Sequence, residues 1–204
     1  MNYKDYQYSR DQAWRLLLDL KICELPVSTS NVCRQLGIPL KLYDAPDGED
    51  GYTALIDGRP VIFVRADVYV PRQRFTTAHE LGHILAGHTG KYPLVNREPS
   101  SADDPIEQAA NVFAARLLAP ACVLWGCGVQ TAEDIQRLCQ ISRQAAEYRM
   151  ARMRVLYERG RFLTSPLERA VYEQFAEYIE SHKINPQNPA ELQSSDAALP
   201  SAHR

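Results

Sequence analysis

The chain has 204 residues, of which 45% are hydrophobic and 24% charged, proportions that exclude wholesale disorder and fibrous architectures. Lys and Arg total 23 against 25 Asp and Glu, a formal net charge of −2, which argues against nucleic-acid binding through bulk positive charge. No run approaches the ~20 uninterrupted apolar residues of a bilayer span, and the opening MNYKDYQYSRDQAW lacks the apolar stretch of a secretory signal.

In chain order, Ser9 to Cys23 places Ala13, Leu16, Leu17 and Leu20 at helical spacing, which predicts an amphipathic helix. Leu25-Pro26-Val27 breaks it, and Ser28 or Ser30 caps a short second helix ending near Gly37. Pro39 to Tyr43 reads as a strand and Ala45 to Gly51 as a loop. Tyr52 to Ile56 and Pro60 to Val64 flank Asp57-Gly58-Arg59, a hairpin signal that predicts a small antiparallel sheet. A helix is expected from about Arg74 to Gly90, with Phe75, Ala78, Leu81 and Leu85 along its core stripe. A polar loop over Thr89 to Asp104 leads to a helix opened by Asp104-Pro105 and stopped at Pro120. Further helices are expected over Ala132 to Cys139, Arg143 to Tyr157 and Pro166 to His182. The Pro-, Ser- and Gln-rich remainder predicts a disordered tail. The resulting fold class is α+β, with a core over 1–128, a helical C-terminal extension over 129–182 and a tail over 183–204.

The five cysteines (Cys23, Cys33, Cys122, Cys127, Cys139) are odd in number and contain no CxxC pair, so they read as reduced thiols of a cytoplasmic protein. Cys122 and Cys127 have no companion ligands beside them and read as buried small hydrophobes. Seven arginines between 137 and 161 superficially suggest a DNA-reading helix. They fall around several faces, which makes a solvated or substrate-docking surface the better reading and direct DNA binding a poor one.

The chemistry concentrates in His79-Glu80-Leu81-Gly82-His83. Histidines four apart on a helix stack one turn apart, so both imidazoles can reach one ion, with Zn2+ the natural candidate. Glu80 stands beside the first of them, where a carboxylate can take a proton from water. Two imidazoles and a carboxylate on an otherwise apolar helix would cost burial energy without a partner. Glu98, Asp103, Asp104 and Glu107 are in range for a third ligand. Glu107 is favoured, because it opens a helix whose Ala109, Ala110 and Ala114 allow close approach, whereas Asp103 and Asp104 suit the helix dipole. Asn111, one turn after Glu107, fits either a role orienting a ligand or ordinary helix packing. His88 falls about 140° from the ligand face of a continuing helix and reads as a surface histidine.

RFTTAHELGHILAGH followed by IEQAANVFAARLLAP resembles the ImmA/IrrE family of metallopeptidases, a gluzincin-like group. The first motif matches at Phe75, Thr76, His79, Glu80, Gly82 and His83. The second matches at Glu107, Ala110, Asn111, Phe113, Ala114, Leu117, Leu118 and Pro120, with Ala119 where methionine is common. Leu25-Pro26-Val27, Leu36-Gly37-Ile38 and Ile141-Ser142 through Ala146 with Arg149 extend the similarity to roughly residues 10 to 157. The resemblance implies a zincin-like core, one catalytic zinc held by His79, His83 and Glu107, and Glu80 as general base and later proton donor. It also implies a helix-turn-helix repressor as substrate, here supplied in trans. The competing reading is a non-enzymatic regulator that binds a repressor or DNA through the same fold. Val61 to Val64 is a candidate strand for pairing with an extended substrate.

Overall fold

The computed structural model describes residues 2–44, 48–88 and 104–184. The expected loop from 89, with Glu98 and Asp103, and the expected tail beyond Ile184 lie outside these residues. Helix α1 (Tyr3–Asp19) starts six residues before the expected Ser9, because Asn2 forms a capping box with Asp5. Helix α2 (Thr29–Gln35) is capped by Ser28, whose side chain accepts from the Asn31 amide.

Strands β1 (Leu40–Tyr43), β2 (Gly51–Ile56) and β3 (Arg59–Arg65) form one sheet in the order β1-β3-β2. The hairpin β2–β3 is antiparallel, with Tyr52 opposite Phe63 and Thr53 opposite Ile62. The sheet as a whole is mixed, since β1 joins β3 in parallel, Leu40 opposite Ile62. This arrangement overturns strand addition at Val61–Val64: β3 lies between two neighbours and has no free edge.

Helix α3 (Val70–Leu85) begins four residues earlier than its apolar stripe suggests, with Pro71 in the first turn, where a missing N–H costs nothing. Helix α4 (Pro105–Leu118) opens as expected: the Asp104 side chain accepts from the Ile106 amide at 2.8 Å. It packs against both α3 and α1, while α3 lies on β2 and β3. A short helix that the sequence reading did not anticipate, α5 (Ala121–Gly126), follows Pro120. The apolar run Pro105–Gly126 is long and apolar enough to cross a membrane, yet it is two helices, and 67% of its most apolar window is buried in the fold.

The C-terminal part holds α6 (Ala132–Cys139), α7 (Arg143–Glu158), α8 (Pro166–Gln174) and α9 (Ala176–Ser181). The single helix expected over 166–182 is thus two, broken at the fully buried Phe175. Helix α8 packs on α1 and α5, and buried side chains from Ala13 to Ile179 join in one hydrophobic cluster. The Arg74 guanidinium of α3 donates to the carbonyls of Val27, Cys139 and Gln140, tying the central helix to the end of α6. All five cysteines are unpaired, and four are buried. Burial pushes the Cys122 and Cys139 thiols up to about 12, so they sit protonated in the core.

Candidate metal centre

Helices α3 and α4 approach closely because their contact is built from small residues. A Cβ placed on Gly82 would lie 3.1 Å from the Phe113 ring and 3.2 Å from the Ala110 Cα. That proximity brings the first turn of α4 over the one-turn histidine pair of α3. His79 Nε2 lies 3.1 Å from Glu107 Oε2, His83 Nε2 lies 3.4 Å from Glu107 Oε1, and the two Nε2 atoms are 3.0 Å apart. The three side chains form a group able to hold a metal ion. Asp104, the other described acid weighed as a third ligand, is instead the N-cap of α4.

The donor set fits zinc on two grounds. Ligands ~2.0–2.1 Å from a tetrahedral ion lie about 3.3 Å from one another, close to the separations found here. The tautomers point the same way. Asn111 Oδ1 accepts a hydrogen bond from His79 Nδ1 at 3.0 Å, which leaves a lone pair on Nε2 facing the Glu107 carboxylate. Two electron-rich atoms so placed need a shared cation. The neighbouring imidazoles of His79 and then His83 hold the Glu107 carboxyl well below the usual carboxylate range, against the opposing effect of burial.

Asn111 therefore does more than fill a helix interface: it fixes the orientation of the His79 ring. His88 departs from its expected place on the surface. The helix ends at Ala86, and Gly87 takes a φ of +70°, so that the His88 amide bonds the His83 carbonyl and the Gly87 amide the Ile84 carbonyl. This Schellman closure turns the chain back and puts His88 Nδ1 3.2 Å from His83 Nδ1. The angular argument assumed a helix that continues; this one has already stopped.

Glu80 is buried, 3% exposed, and accepts a hydrogen bond of 2.7 Å from Thr53 Oγ1 on β2. Sequence reasoning passed over Thr53. The only signal was a hydroxyl in the inward register of an otherwise apolar-facing strand. Thr53→Val removes the donor and keeps the shape. It is expected to cost about 1–3 kcal/mol, the range for leaving a buried polar group unpaired. Urea unfolding of this variant beside Thr53→Ser, which keeps the hydroxyl and should stay within about 1 kcal/mol of the parent, measures it.

A three-stranded sheet backs a helix with two stacked histidines, closed by an acid from the next helix: an α+β fold carrying a group that could hold a metal. The family Peptidase_M78, the IrrE N-terminal-like domain, matches residues 33–151, and the chain belongs to this family. A comparison with curated proteins returns no match.

Proposed function

We propose that the protein is a zinc-dependent endopeptidase acting in the cytoplasm on a helix-turn-helix repressor supplied in trans. The observation that carries this reading is the convergence of His79, His83 and Glu107 beside Glu80 in a chain of a peptidase family. Two imidazoles and one carboxylate would hold the ion and leave a coordination position free. Zinc bound there supplies Lewis acidity, polarising the scissile carbonyl and making water easier to deprotonate.

The chain's own groups do the rest. Glu80 takes the proton from the attacking water and returns it to the leaving amine. Thr53 holds one Glu80 oxygen at 2.7 Å and so restricts the carboxyl's rotation. Asn111 fixes the His79 ring through Nδ1. Of the two edge strands, β1 and β2, each with only β3 beside it among the described residues, β2 is the one that carries Thr53 against Glu80. Main-chain pairing along β2 would align the peptide with the site.

The test uses the zinc-loaded protein and, as candidate substrate, any helix-turn-helix repressor found encoded beside its gene. Incubation is expected to yield two repressor fragments, read by mass spectrometry, and none with the Glu80→Gln variant. Fragments appearing equally with both proteins would contradict the assigned chemistry.

A further inference from the structure

A cleft of about 670 Å³ opens between α1, the start of α3, α4 and α7, a volume in the range of small-molecule sites. Four arginines line it (Arg72, Arg116, Arg149 and Arg152), and no carboxylate does among the described lining residues. Arg72 is paired with Asp50. Among the described residues, the other three have no carboxylate partner. Arg116 donates to Tyr6 Oη at 2.8 Å, Arg149 Nε donates to the Ala119 carbonyl at 2.8 Å, and Arg152 lies over the Tyr6 ring at 5.7 Å.

Arg149 is 4% exposed, and its Nη2 is buried without a hydrogen-bond partner. A guanidinium keeps its charge in proteins, and a buried charge without a counter-charge is strongly unfavourable. Tyr6 registers the same field. Burial raises its phenol, yet Arg116, then Arg152 and Arg149, bring it below its ordinary value. At the rim stand Tyr69 and Tyr148, 58% and 72% exposed, flat apolar surfaces beside the charged floor.

We propose that this cleft binds a small phosphate monoester with an aromatic or apolar body, its phosphoryl oxygens on Arg116, Arg149 and Arg152 and its body against Tyr69 and Tyr148. A dianion with three acceptor oxygens suits three guanidiniums better than a single carboxylate does. The site is distinct from the metal centre but adjoins it: Phe75 and Asn111 line the cleft, and each touches His79.

Calorimetric titration of the zinc-loaded protein with phenyl phosphate tests this, and it reads binding whether or not the protein is a protease. Phenyl phosphate is expected to bind at least about tenfold more tightly than inorganic phosphate, with neutral benzyl alcohol showing no saturable binding. Arg152→Gln, at a partly exposed position, and Tyr148→Ala, on the rim, should each weaken it by about tenfold or more while leaving the thermal midpoint near that of the parent. Absence of binding up to about 10 mM would overturn the proposal. So would an affinity unchanged in Arg152→Gln, or binding lost on stripping zinc yet kept in that variant, which would put the anion on the metal.

Discussion

Glu80→Gln is expected to keep its zinc and to lower repressor cleavage by about 10²–10⁴-fold, the range that general acid–base catalysis supplies. The amide is isosteric with the carboxyl, and its oxygen can still accept the Thr53 hydroxyl that Glu80 accepts at 2.7 Å. Packing around this buried position is therefore conserved. What disappears is the ability to accept a proton from water and pass it to the departing nitrogen. The loss should appear in kcat/KM with little change in metal content, measured by quantitative cleavage alongside elemental analysis. A variant that keeps more than about a tenth of parental activity would remove Glu80 from the chemistry.

The second large effect is expected at Gly82, which touches no ligand. Its missing side chain sets the spacing of α3 and α4, since a Cβ there would meet Phe113 and Ala110 at 3.1–3.2 Å. Gly82→Ala has opposing terms: about 1 kcal/mol of helix propensity is gained while the neighbours must give by a few tenths of an ångström. Its net stability change should be small. Gly82→Val adds two more methyls and a β-branch, so overpacking of about 1–3 kcal/mol outweighs the propensity gain. The helices then separate, and the Glu107 carboxylate moves away from the two imidazoles. Zinc affinity should fall by about tenfold or more, read by competition with a chromophoric chelator, with Gly82→Ala close to the parent. Equal affinity in Gly82→Val would show that interhelical spacing does not govern the donor set.

Much of this site was legible before any coordinates. The one-turn spacing of His79 and His83 follows from helical periodicity, and Asp104-Pro105 marks the start of α4, so Glu107 falls in its first turn. Those are local signals, and local signals survive in sequence. Two features were not legible because they depend on where chain segments meet, and a third because a helix stops early. The contact of Thr53 with Glu80 spans 27 residues and needs the register of β2 against α3. The place of β3 between two strands depends on β1 joining in parallel, a pairing with no turn signature. His88 falls off the ligand face only in a helix that runs on to Gly90, whereas this helix stops at Ala86. The glycine that follows was the available clue. In the same way, the arginines of α7 look scattered along the helix, and only the cleft lined by α1, α3, α4 and α7 shows which of them share one surface.

The central claim is that three side chains from two helices hold one catalytic ion, and zinc stoichiometry combined with X-ray absorption at the zinc edge tests it most directly. The account predicts one zinc per chain, a shell of nitrogen and oxygen donors at ~2.0–2.2 Å with no sulfur, and loss of the metal from a His79→Ala, His83→Ala, Glu107→Ala triple variant that still folds. Zinc retained in full by that variant, or a shell containing a ~2.3 Å sulfur distance, would contradict it.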